Sequence, residues 1–545
     1  MERNARPSGA VRRVLWAYLF STDHRAIGLA YFLTGFAMFF AGLGIMVLMR
    51  WQAAYPGKAF PLLGRFLGPD HPWMPGGVLL PNFYNQLGAM HGTTMVFLAV
   101  VPILVGGFGT YVVPLMLGAN NLAFPRLSRV GFWCYLGGIA VIYASLFTQA
   151  GPANTGWTSY PPLSVIEHAG QSFWLVGILF VYLSSLVQSI NLIVTVVQLR
   201  APGMGFMQLP FFVWTQLVTA FLLLLAFPPL AAAGVLQLSD RLIGTSFFLP
   251  SGLVVAGQTL DASGGGSALL WQHLFWFLAH PEVYVLILPA LGIVATIIPA
   301  NTDRELYGYR GMVLSALFMG GMSFLVWAHH MYLTGMGAGM SRFFQTTTII
   351  ISVPSVVIGG SLVLSLWGGA IRFTPPMLYA LAFLPMFGLG GLTGLPLAMP
   401  STNIPLHDTM YVVGHFHYIV VLGTLFAVFG GIAHWFPTVS GRYLHGGLAR
   451  LHFGLSLLFL NAVFLPLMLQ GMAGVSRRLY DGGASYAHGR EVFFLNKAVT
   501  HSIMAFAFVQ LLFIVNVLWS LRRGKRATND PCPVDASAGQ GEANA

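Results

Sequence analysis

The chain has 545 residues, of which 56% are apolar and only 8% charged. A soluble domain carries about a quarter charged residues, so a soluble enzyme, a disordered chain, a collagen-like fibre and a disulfide scaffold are all excluded. The net charge of +11 comes from 23 Arg and three Lys that form no basic domain, which argues against a nucleic-acid partner.

The apolar runs are long and continuous rather than short and alternating. That pattern predicts an all-α, polytopic membrane protein with twelve transmembrane helices. In chain order the spans cover about 27–49, 85–117, 130–148, 172–199, 210–237, 269–298, 311–333, 343–369, 377–398, 409–436, 450–470 and 496–521. Residues 1–20 read as a basic N-terminal segment holding Arg3, Arg6, Arg12 and Arg13. The first apolar run is a full span, so no cleavable signal peptide is expected. Residues 21–521 form one twelve-helix domain. Residues 522–545 form a polar tail that opens on Arg522, Arg523, Lys525 and Arg526 and is expected to be disordered. An even number of spans puts both basic ends on one side. By the positive-inside rule that side is cytoplasmic, which suits a bacterial-type inner membrane. Arg50, Lys58, Arg65, Arg477, Arg478, Arg490 and Lys497 fall on the outer side against the rule, and anionic ligands there would explain them. Residues 259–268 read as a flexible outer loop. Cys134 and Cys532 offer neither a disulfide framework nor a metal site.

The chain holds 16 His against 15 Asp plus Glu. In a protein that has expelled charge, this points to metal or proton chemistry. His91 lies in span 2, His280 in span 6, His329 and His330 in span 7, and His415 and His417 in span 10. All six share one layer in the outer half of the membrane. Residues two apart on a helix differ by about 200° in direction, so His415 and His417 serve two sites. His329 and His330 are about 100° apart and can converge. A partition of three, two and one follows. His280, His329 and His330 hold a copper ion, since imidazole suits copper. His91 and one of the span-10 pair hold a haem iron from both faces. The other binds a second haem iron with an open position. His280 and Tyr284 are i and i+4 on one face, and Glu282 points away from both.

These residues sit in stretches that closely resemble subunit I of the haem–copper oxidases, in the mitochondrial-like cytochrome c oxidase branch. The stretches are STDHRAIG (21–28), AMHGTTM (89–95), GTYVVPLMLGANNLAFPR (109–126), TGWTSYPPL (155–163), WQHLFWFLAHPEVY (271–284), WAHHMYLTGM (327–336), HDTMYVVGHFHY (407–418) and SRRLYDGG (476–483). The resemblance runs over about 20–520. It implies a respiratory terminal oxidase that reduces O2 to water with electrons from cytochrome c. The donor would act through a copper-bearing subunit II, with further small membrane subunits. It implies His91 and His417 as axial ligands of a low-spin haem and His415 as the ligand of a high-spin haem. It implies His280, His329 and His330 as copper ligands, with Tyr284 covalently joined to His280 and Trp157 beside the copper site. His407 and Asp408 match magnesium ligands. Arg477 and Arg478 match arginines paired with haem propionates, and bidentate Arg–carboxylate pairing suits them. Arg50 matches an arginine facing a haem formyl group, which implies haem A for both haems.

Proton supply departs from the family. Glu282 is the one acidic residue deep in a span and matches the glutamate heading the D-type path. Ser184, Ser185 and Asn191 match that path's lining. The entrance aspartate is Asn121 here, and the nearby asparagines are Thr110 and Ser128. The K-type lysine is Ile358 and the span-6 serine is Ala295, while Ser355 and Thr348 remain. Proton pumping is therefore expected to be weak or absent, or fed along span 8 through Ser352, Ser361 and Ser365. Three rival readings have their own marks. A nitric oxide reductase of the same superfamily would lack the linked tyrosine. A quinol oxidase would share Gln86. A histidine-relay transporter, a different class, would hold no haem.

Overall fold

The computed structural model describes residues 10–527 except 62 and 261–263. Arg3, Arg6, Cys532 and most of the predicted tail therefore lie outside the described residues. The architecture is all-α and polytopic. Among the described residues eleven helices are long and apolar enough to cross a membrane. They are span 1 (His24–Ala54), span 2 (Pro81–Leu117), span 3 (Pro125–Phe147), span 4 (Gly170–Gln198), span 5 (Phe211–Leu242), span 6 (Ala268–Thr302), span 8 (Ala338–Leu364), span 9 (Pro375–Ala398), span 10 (Met410–Ser440), span 11 (Gly446–Met472) and span 12 (Phe494–Arg523).

The predicted seventh span is not one continuous helix. Tyr309–Ser323 is α-helical, and after a break Trp327–Met331 forms a 3₁₀ turn. A 3₁₀ turn eclipses residues three apart and suits only short pieces. Here it carries His329 and His330. An eleven-residue helix, Ala10–Phe20, precedes the first span and takes up half of the predicted basic segment. At the start of the predicted outer loop, Thr259 and the preceding Gln258 pair with Val254–Val255. Gly266 and Ser267 donate to the Leu249 and Phe247 carbonyls, so backbone bonds hold both flanks of that loop.

Helix ends follow local chemistry. The Asp23 carboxylate accepts from the Arg25 and Ala26 amides and starts span 1. Thr374 followed by Pro375 starts span 9, and Thr409 starts span 10. Such caps satisfy amides that have no intrahelical partner. Gly118 and Gly441 end spans 2 and 10 at φ 69° and 66°, a region that favours glycine. Two spans change pitch inside the membrane. Thr94–Val100, Pro102–Gly109 and Tyr418–Leu425 are π-helical. π-turns are uncommon and gather at functional sites. These begin three residues after His91 and directly after His417.

Candidate active site

The site forms where spans 6 to 10 meet. His280 lies inside span 6 and is 5% exposed. The 3₁₀ turn sets His329 and His330 side by side, with ring centroids 4.2 Å apart. His280 stands 4.6 Å from His329 at 90° and 5.5 Å from His330. One nitrogen from each ring lies within 4.8 Å of the other two. Among the described residues this is the only such cluster of three His, Cys, Asp or Glu donors. His280 Nδ1 is 3.2 Å from His330 Nε2, and His329 Nδ1 lies 2.9 Å from the Thr348 hydroxyl. Thr348 thus orients the His329 ring, as ligating imidazoles have their second nitrogen held by a polar group. The set fits a copper-type ion. His280 Nε2 is buried without a partner. The Tyr284 ring is 5.0 Å from the His280 ring, as the i, i+4 spacing predicts.

The span-10 histidines diverge. His415 Nδ1 faces the Gly390 carbonyl at 2.9 Å and the Thr393 hydroxyl at 3.2 Å, both on span 9. A Cβ on Gly394 would fall 2.8 Å from His415 Cε1, so that glycine makes room for the ring. His415 interacts electrostatically with His329 of the trio. His417 turns the other way and stacks on Phe464 of span 11 at 4.9 Å and 22°. Its Nδ1 faces its own helix at the Val413 carbonyl, 2.8 Å away. His91 Nδ1 faces the Gly42 carbonyl at 3.0 Å, and His91 and His417 interact electrostatically. In all three rings a backbone carbonyl engages Nδ1, so Nε2 is the nitrogen left for another partner, as in metal-ligating histidines.

Sequence reading passed over Trp276 and Tyr160. Trp276 stacks on His330 at 3.8 Å and 9°, and its indole N–H donates to the Tyr160 hydroxyl. Its position one helical turn before His280 was the available signal. Trp157 lies 5.4 Å from Phe275 and 6.4 Å from Trp276, ring to ring. A Cβ on Gly92 would sit 2.7 Å from Trp157, so only glycine beside His91 admits that indole.

Before span 10 and after span 11, two loops are zipped together. Met410 donates to the Val475 carbonyl and Arg477 to the Asp408 carbonyl. The Asp408 carboxylate pairs with Arg477 and lies 3.7 Å from His407 Nε2. Burial alone would raise the Asp408 carboxyl, but Arg477, His407 and Arg478 outweigh it and hold it below its ordinary value. Burial and then Arg477 push the Arg478 guanidinium down to about 10. Arg478 packs on Gly156, and Arg477 Nε is buried without a partner. Arg50 is 7% exposed and donates to Asn496 at 2.7 Å, while its Nε has no partner.

The predicted proton-path residues separate into groups. Both Glu282 carboxylate oxygens and the Tyr182 hydroxyl are buried without partners, and the two groups interact electrostatically. Ser184 meets the Tyr31 hydroxyl at 3.0 Å. Ser184, Ser185, Tyr31 and Gln188 border a cavity of about 20 Å³, room for one water. Below it, Gln188 donates to Thr110 and accepts from Ser128, each at 2.7 Å. Asn191 is fully used in holding Phe124, and Asn121 donates to the Thr22 carbonyl. Ser355 is half-buried on span 8, two turns from Thr348, with Ile358 fully buried beyond it. Gln86, the residue shared with quinol sites, is buried and donates to the Ala150 carbonyl.

A family model described as Cytochrome C and Quinol oxidase polypeptide I matches residues 26–509. The alternative cytochrome c oxidase subunit 1 of Bradyrhizobium diazoefficiens is 40% identical over 94% of this chain and 85% of its own. Cytochrome c oxidase subunit 1 of Thermostichus vulcanus is also 40% identical, over 94% of this chain and 86% of its own. The Bacillus subtilis subunit 1 is 36% identical over 95% of this chain and 78% of its own. A heme-copper terminal oxidase dimer solved by cryo-EM shares the fold, with a TM-score of 0.75 and 20% identity over 94% of this chain and 88% of its own. Because these matches span nearly the whole chain and its buried histidines converge as metal ligands do, the chain belongs to the cytochrome c and quinol oxidase polypeptide I family, the catalytic subunits of haem–copper oxidases.

Proposed function

We propose that this subunit reduces O2 to water with electrons from a cytochrome c, delivered through a copper-bearing partner subunit. The observation that carries the reading is the trio His280, His329 and His330, with Tyr284 beside the unpartnered His280 Nε2. Further small membrane subunits would complete the complex in a bacterial-type cytoplasmic membrane, with both chain ends cytoplasmic and residues 21–521 acting as one domain.

His91 and His417 would hold the low-spin haem through their Nε2 atoms, and His415 the high-spin haem, both haem A. His280, His329 and His330 would hold copper. Haem iron and copper, when bound, supply the four-electron chemistry, and the chain sets ligation, orientation and proton access. Thr348 fixes the His329 ring, and Gly390 fixes His415. Trp157 and Trp276 wall the pocket and exclude water. Arg477 and Arg478 would pair with haem propionates, and the unpartnered Arg477 Nε supports this. The unpartnered Arg50 Nε likewise leaves a donor for a haem formyl oxygen. His407 and Asp408 offer two donors for magnesium, short of the six oxygen-rich positions that ion prefers. The Tyr284 hydroxyl would give a proton and an electron to O–O cleavage, and the Glu282 carboxyl would hold a proton on its way in.

Freed of its copper-bearing partner, the purified subunit is expected to hold two haems and one copper. A reduced-minus-oxidised spectrum with pyridine haemochrome and metal analysis reads this directly. Non-haem iron in place of copper would favour a nitric oxide reductase, and absence of haem a transporter.

If Tyr284 is joined to His280, forming the bond removes one hydrogen from each side chain, with O2 as oxidant. The peptide carrying both residues is then two hydrogens lighter than its sequence. Full mass from active enzyme would exclude the link.

A further inference from the structure

A cavity of about 550 Å³ opens where span 11 begins and span 12 ends. Tyr443, His445, Trp519, Arg523 and Lys525 line it, and none of the candidate metal-ligating histidines does. Its walls are tied together. Arg442 donates to the Gly524 carbonyl at 2.7 Å, and the Tyr443 amide to the Lys525 carbonyl at 2.8 Å. The His445 amide donates to both Asn516 and Ser520. The Arg523 guanidinium sits over the Trp519 ring, 5.0 Å from its centroid. Arg450 reaches the same mouth, 3.8 Å from where a Cβ on Gly446 would stand.

These cations are unbalanced. Among the described residues no carboxylate lines the cavity, and Arg450, Arg523 and Lys525 take part in no ion pair. Arg523 and Lys525 are exposed at the cavity and can meet an anion there. The adjoining surface is greasy. Spans 11 and 12 present exposed apolar side chains along their length, Leu451 and Leu458 on one, Leu511, Val515 and Leu518 on the other. Trp519, half exposed at the end of its span, is the residue type that marks a membrane–water boundary. A ligand that matches both halves carries a negative phosphate head and acyl chains.

We propose that this cavity binds the headgroup of an anionic phospholipid, with Arg523 and Lys525 on the phosphate and the acyl chains along spans 11 and 12. Basic pockets at helix ends recognise such headgroups. A free phosphate would use the cations but gain nothing from the apolar track.

The test uses the whole oxidase, purified and stripped of lipid in detergent. It is titrated with phosphatidylglycerol or with phosphatidylcholine, and bound lipid is counted by native mass spectrometry. The wild type should hold one phosphatidylglycerol tightly. In the double variant Arg523→Gln, Lys525→Gln that affinity should fall roughly thirtyfold, the effect of two surface cations. Phosphatidylcholine binding should be equal in both proteins, and excess inorganic phosphate should not displace the lipid. The charge-keeping pair Arg523→Lys, Lys525→Arg should retain the site, with unchanged haem spectra reporting the fold of each variant. Equal phosphatidylglycerol affinity in the glutamine variant would overturn the proposal. So would equal affinity of the wild type for both lipids, displacement by phosphate, or loss of binding in the charge-keeping pair.

Discussion

His417→Ala is expected to abolish the low-spin haem signal almost completely while leaving the carbon monoxide-binding haem in place. His415→Ala should do the reverse. The reason is geometric. The two rings leave the helix in opposite directions, His415 onto the Gly390 carbonyl of span 9 and His417 onto Phe464 of span 11. His417 has His91 as its electrostatic neighbour, whereas His415 has His329 of the trio. On the proposed assignment, removing one ring would take away an iron ligand at one centre without touching the residues around the other. O2 reduction should fall to background in both variants, since one lacks the electron relay and the other the O2 site. Visible spectra of the reduced protein with and without carbon monoxide measure both outcomes. Loss of both signals from a single, folded variant would contradict two separate centres.

In sealed vesicles pulsed with reduced donor, O2 uptake is expected with little or no proton ejection. Glu282 is buried with no hydrogen-bond partner. Both ends of the Gln188 amide are spent at 2.7 Å, on Thr110 and Ser128. That amide ties spans 2, 3 and 4 together at this level, and the cavity above it holds about one water. At the mouth stands Asn121, which cannot gather protons as a carboxylate does. Asn121→Asp alone should therefore change little. Asn121→Asp combined with Gln188→Ala, which removes that tie and restores the carboxylate, should raise ejection towards one proton per electron. External pH after a donor pulse is the measurement. Near one proton ejected per electron from the wild type would sink the idea. An unchanged double variant would move the cause to another route, such as span 8.

What the sequence determined by itself was chemistry and period. Charge near 8% and continuous apolar runs were enough for a helical membrane protein, because lipid leaves the backbone no other way to bond in such runs. Local spacing was enough for the divergence of His415 from His417 and for the approach of Tyr284 to His280, since both depend on one regular helical turn. Span ends were legible to within a few residues where Asp23, Thr374 or Gly441 caps them.

Only the tertiary structure decided what distant residues do for one another. The break in span 7 before the 3₁₀ turn was hidden, because apolar composition is alike in a continuous and a broken span. The π-helical stretches of spans 2 and 10 were hidden for the same reason. Trp276 read as an ordinary core aromatic until His330, 54 residues later, came to lie flat against it. Thr348 read as part of a proton path, and packing placed its hydroxyl on His329. Gln188 carried no signal at all, because its bridge forms only when Thr110 and Ser128, each on a different span, arrive at its two ends. A hydrogen bond across helices depends on which faces pack together, and no periodicity within one helix encodes its partner.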